Sequence, residues 1–129
     1  MNPIIAAQIT QLRANGLDPD VEVLPSGAHL ITIRNVPIPA GWNRQSTNVL
    51  FLAPPSYPGG MPDCFWVEPT QMRLADGGTP QGSSDGNPIP EVPGRQVTWF
   101  SWHIQDWNPN KSTLLTYFNV IKQRFRALQ

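Results

Sequence analysis

The sequence predicts an α+β fold. Three observations carry this. Apolar residues recur at helical spacing near both ends of the chain. Between them lie four β-branched and apolar stretches, at 21–24, 28–36, 47–53 and 64–69. The stretch 75–95, "ADGGTPQGSSDGNPIPEVPGR", has no periodicity and is dominated by Gly, Pro, Ser and Asp. At 129 residues the chain is long enough for one hydrophobic core, so a single domain over 1–129 is expected.

Each element has its own justification. In "NPIIAAQITQLRANG", Asn2 suits a helix cap and Pro3 the first turn. Ile5, Ile9 and Leu12 fall on one face, and Asn15-Gly16 is a stop signal. "VEVL", the turn "PSG" and "AHLITIRNV" read as an antiparallel pair. "TNVLFLA" is apolar on both faces and reads as a central strand. "CFWVEP" reads as the fourth strand of a meander. The proline-rich "APPSYPGGMPD" cannot be a central strand, because proline lacks a donor. It reads as a rigid connection with Tyr57 packed beneath it. A loop as long as 75–95 reads either as a mobile insertion or as an ordered wrap around a functional site, and its delivery of the chain straight into "VTWFSWH" favours the wrap. In the last element Leu114, Phe118, Ile121, Phe125 and Leu128 form one apolar stripe. Asn110 or Ser112 is the expected cap, and Lys122, Arg124 and Arg126 suit the negative end of the helix dipole.

Composition removes several function classes. Charged residues make up 14%, nine basic and nine acidic. No basic surface is predicted, so nucleic acid is not an expected partner. A weakly charged surface fits docking on other proteins. Cys64 is the only cysteine, which rules out an internal disulfide and a multi-cysteine zinc site. His29 and His103 lie far apart with no metal-binding spacing, so neither a metal nor a cofactor is expected. The N-terminus lacks the pattern of a secretory signal, and no apolar run approaches ~18 residues. A cytoplasmic protein without a membrane partner is the expectation.

Candidate chemistry centres on "WFSWHIQDWNP", residues 99–109. Ser26 and Ser56 sit in turns, whereas Ser101 has a histidine two residues on. In an extended segment Trp99, Ser101 and His103 share one face, opposite Phe100, Trp102 and Ile104. A serine hydroxyl needs a base to become a nucleophile, and imidazole supplies one near neutral pH. Asp106, or Asp85 from the preceding loop, is positioned to orient that imidazole. The same residues also read as a half-buried serine beside a surface histidine. Cys64 opens a strand and reads as a structural thiol.

Taken together, these pieces resemble the ubiquitin-conjugating enzyme family and its UBC fold. That family carries P-x-x-Y-P-x-x-P-P after its third strand. Pro54, Tyr57, Pro58 and Pro62 match, with Met61 in place of the first paired proline. The family's W-S-P before the crossover helix corresponds to Trp107-Asn108-Pro109. More narrowly, the chain is similar to a divergent bacterial branch linked to operons with an activating enzyme, a ubiquitin-like protein and a JAB-type metalloprotease. The resemblance implies a helix, a four-stranded meander, an active-site loop and a crossover helix, without the family's last two helices. The surface those helices normally cover is then repacked or used for binding. The family's catalytic cysteine is absent from its place before the tryptophan. Cys64 maps elsewhere, and Asn87-Pro88 is only an echo of the family's His-Pro-Asn.

Two functional readings follow. In the first, the chain is an acyl carrier. It accepts the C-terminus of a ubiquitin-like protein from an activating enzyme, as an oxyester on Ser101 with His103 as base, and passes it to an amine on a protein target. Asp106, Trp99 and Trp107 support the site, and the backbone near Gly94–Gln96 is a candidate oxyanion donor. In the second, it is an inactive adaptor of the same fold. A stand-alone serine hydrolase is disfavoured by the lack of a G-x-S-x-G elbow.

Overall fold

A computed structural model describes residues 1–129. Helix α1 (Pro3–Ala14) opens the chain, with the Asn2 side chain accepting from the N–H groups of Ile4 and Ile5. Ile5, Ile9 and Leu12 are its buried residues, as the spacing requires. Strands β1 (Asp18–Val23), β2 (His29–Pro37), β3 (Ser46–Ala53) and β4 (Phe65–Glu68) follow. They form the expected antiparallel meander. A bulge between Ile33 and Val36 interrupts β2, where Asn35 takes φ 55° and donates its N–H to Asn48 Oδ1.

The sheet does not stop at four strands. Residues Thr98–Phe100 form β6 and pair antiparallel with β4; Ser83–Ser84 form β5 and pair with β6. The order is β1-β2-β3-β4-β6-β5. The 75–95 stretch is therefore not wholly irregular. Only its short β5 lies next to the Ser101 segment. Its later part crosses the outer face of the sheet, where Ile89 and Val97 pack with Leu24, Leu30, Leu50 and Trp66. The Trp66 indole donates to Asn87 O at 2.8 Å. Ser26 donates both its N–H and its hydroxyl to Glu91. This strap encloses a second, small core.

The main core lies on the inner face, under both helices. Helix α2 (Leu114–Arg126) buries Leu114, Tyr117, Phe118, Ile121 and Phe125. Its cap is Thr113, in a capping box with Thr116, rather than Asn110 or Ser112. Ser112 Oγ instead accepts from the Asn108 N–H. Leu128 falls beyond the helix end and is exposed, so the apolar stripe stops at Phe125. Tyr57 is buried under the proline-rich connection, as expected.

Candidate active site

The site begins with β6 and its continuation. Phe100 enters the main core, stacked on Phe65 at 5.0 Å between ring centroids. Alternation along the extended chain turns Trp99 to the opposite face, against the small core beneath the strap. Trp99 keeps the face that alternation predicts, opposite Phe100, but packs into that small core and does not line the cleft into which Ser101 opens. The Ser101 N–H donates to Gly82 O at 2.9 Å, the last tie to the β5 segment. Past that point the ladder ends and the chain is anchored by its large side chains. Trp102 Nε1 donates to Val120 O, and Ile104 is buried. Trp107 Nε1 donates to Pro58 O at 2.8 Å, and its ring meets Tyr57 edge-on. The aromatics at 100, 102 and 107 are thus anchors. They hold up a short segment whose polar side chains stay accessible.

Those polar side chains line an open cleft of about 660 Å³ between the segment and α2. Ser101, His103, Asp106, Thr116, Val120 and Gln123 line it. Ser101 is half-buried and His103 and Asp106 are exposed. The Ser101 hydroxyl makes no hydrogen bond within the chain, and none joins it to His103. No hydrogen bond or ion pair joins Asp106 to His103. The carboxylate on the imidazole belongs to Asp63, whose Oδ1 lies 2.9 Å from His103 Nδ1.

Two other sequence candidates lie outside the cleft. Asp85 pairs with Arg73 and accepts from Thr98 and the Gln71 N–H, so it braces β6 from below rather than orienting His103. Arg95, within the proposed oxyanion segment 94–96, pairs with Glu68 on the outer face and does not reach Ser101. Asp63 escaped notice because it lies forty residues from His103. The two come together through the antiparallel pairing of Phe65–Val67 with Thr98–Phe100, which brings the start of β4 beside the end of β6.

Cys64 does not line the cleft, although the strand register brings its backbone alongside the Ser101 segment. It borders a separate apolar pocket of about 310 Å³ formed with Leu52, Pro54, Pro55, Met61 and Trp66. Burial pushes its thiol upward in pKa; a hydrogen bond from Trp99 opposes this and the nearby Asp63 carboxylate adds to it. Less thiolate forms at neutral pH than in a free cysteine, which matches a structural role. No group of three or more His, Cys, Asp or Glu side chains is gathered as metal ligands. No helix is long and apolar enough to cross a membrane. The model of one protein family, described as Prokaryotic E2 family E, matches residues 7–127. No curated protein and no solved structure matches the chain.

Proposed function

The chain belongs to the prokaryotic E2 family E, and from that premise we propose that it is an acyl carrier in the conjugation of a ubiquitin-like protein, with Ser101 as the acceptor. E2 membership supports a conjugating transferase working between an activating enzyme and a protein target. The observation that carries the choice of Ser101 is the cleft. Ser101 and His103 open into it together, while Cys64 lies outside it with a thiol raised by burial.

The steps follow from the side chains. The activating enzyme presents the C-terminal glycine of the ubiquitin-like protein as an activated acyl group. The Ser101 hydroxyl attacks its carbonyl carbon while His103 Nε2 takes the hydroxyl proton. The activating enzyme's group leaves with that proton, and an oxyester on Ser101 remains. An amine then attacks the same carbon. His103 takes the proton that the attacking nitrogen sheds and gives it to the departing Ser101 oxygen, and an amide is formed. Thr116 and Gln123, from the α2 wall of the cleft, are the polar groups available to a developing oxyanion.

A second reading rests on the missing hydrogen bond between Ser101 and His103. In it the chain is an adaptor that binds the same partners without an acyl intermediate. One experiment separates the two. The chain is mixed with an activating enzyme, its ubiquitin-like protein and ATP, and intact masses are recorded. The carrier reading expects a gain of one ubiquitin-like unit that survives thiol reductant and is released by mild base. The adduct is lost in Ser101→Ala and forms about 100-fold more slowly in His103→Ala. Loss in Cys64→Ala instead moves the acceptor to the thiol. Firm binding to the activating enzyme with no adduct in any variant establishes the adaptor.

A further inference from the structure

We propose that Asp63 is the positioning residue that holds His103 in the tautomer and orientation needed to act as a base on Ser101. The inference rests on the carrier reading above and adds to it a residue from a distant part of the sequence. Asp63 precedes β4, and His103 follows β6. Those strands are paired with Phe65 opposite Phe100, so the pair sits just beyond the end of one ladder. A second tie lies further out, where Trp107 Nε1 donates to Pro58 O. The segments 58–65 and 100–107 are therefore fastened to each other at both ends. Asp63 and His103 face each other between the fastenings. Pro62 stiffens the backbone immediately before the carboxylate.

The chemistry follows from which nitrogen is engaged. A carboxylate can only accept, so the Nδ1 facing Asp63 Oδ1 carries the hydrogen. In the neutral imidazole the lone pair is then on Nε2, the atom that has no partner within the chain. This is the tautomer that can take a proton from a hydroxyl in the same cleft. The contact is also poorly suited to holding the fold together. Both side chains are largely exposed, 51% for His103 and 77% for Asp63, and exposed pairs of this kind contribute little to stability. A partner covering the cleft would shield the pair from solvent and strengthen the contact when the acyl group arrives.

The test reads the imidazole and the chemistry separately. Ring-nitrogen NMR of the full chain reports the His103 tautomer at a pH where it is neutral. Acylation of Ser101 is followed by mass, with a thioester of a short peptide ending in Gly-Gly as donor. The proposal expects the Nδ1–H form in wild type, a shift toward the Nε2–H form in Asp63→Ala, and its return in Asp63→Glu. Acylation slows about tenfold or more in Asp63→Ala and recovers in Asp63→Glu. An unchanged tautomer in Asp63→Ala overturns the proposal. So does a changed tautomer with an unchanged acylation rate. A wild-type chain that is never acylated, but whose tautomer follows Asp63, sinks the carrier reading while upholding the hold of Asp63 on His103.

Discussion

Asp85 shows how much one side chain can organise. Its carboxylate receives the Arg73 guanidinium, the hydroxyls of Thr70 and Thr98, and the N–H of Gln71. The Arg73 hydrogen bond first, with Thr98 and Gln71 behind it, holds its pKa well below the usual carboxylate range against the opposing effect of burial. Thr98 is fully buried and also accepts the Met72 N–H, so Asp85 sets the position of β6 just before the Ser101 segment. A carboxyl whose folded pKa is depressed stabilises the fold above its unfolded value of about 3.9. That contribution is lost as pH falls through the folded value. Asp85→Asn is therefore expected to lower the melting temperature by about 4 °C at pH 7. The gap to wild type should stay constant down to about pH 5 and narrow below about pH 4. Thermal melts at pH 7, 5 and 3 check both parts. A gap unchanged at pH 3 means the ionised form is not what matters.

The two helices share the main core, and a single glutamine ties them by hydrogen bond. Gln8 Oε1, on α1, accepts from the Tyr57 hydroxyl and from the Leu114 N–H at the start of α2. It thus joins both helices and the proline-rich connection. Burial pushes the Tyr57 hydroxyl up to about 12, so it remains a donor across the working pH range. Gln8→Ala leaves a buried hydroxyl and a helix N–H without their acceptor, at a cost of about 2 kcal/mol. Tyr57→Phe removes one donor and leaves Gln8 still paired with Leu114, so it costs about 1 kcal/mol. Urea midpoints that rank the two variants the other way would contradict this assignment. Long periodic elements like these were legible in the sequence, and so was β3, which is apolar on both faces because Val49 and Phe51 enter the main core and Leu50 the small one. Shorter features were not. Strand β6 is three residues long and carries no pattern of its own, so "TWF" read as an extended aromatic stretch without a partner. Choosing Thr113 over Ser112 as the cap depends on the Thr116 hydroxyl one turn later. Ser101 and His103 were found because they are neighbours in the chain. Asp63 became visible only once the strands were paired.

On the scale of the whole molecule, the sheet has two apolar faces and covers them by different means. The inner face is closed by α1 and α2, the outer by a strap with few apolar residues of its own. Ile89 is the most deeply buried of these, at 1% exposure. Ile89→Ala is expected to cost about 2–3 kcal/mol and to loosen the strap before the rest unfolds. Limited proteolysis checks this: cutting should fall within residues 86–95 while α1, α2 and the meander stay intact. Cutting spread evenly over the chain would show that the strap and sheet unfold as one unit. The sheet also has two edges. Strand β1 forms one, with Asp18, Asp20 and Glu22 exposed along it and Pro19 lacking a donor. The other is β5, only two residues long. With a formal net charge of zero, long-range repulsion does little to keep copies of this chain apart. Exposed charged side chains and a proline along one edge, and brevity at the other, take over that task, blocking strand-by-strand growth into aggregates in a crowded solution.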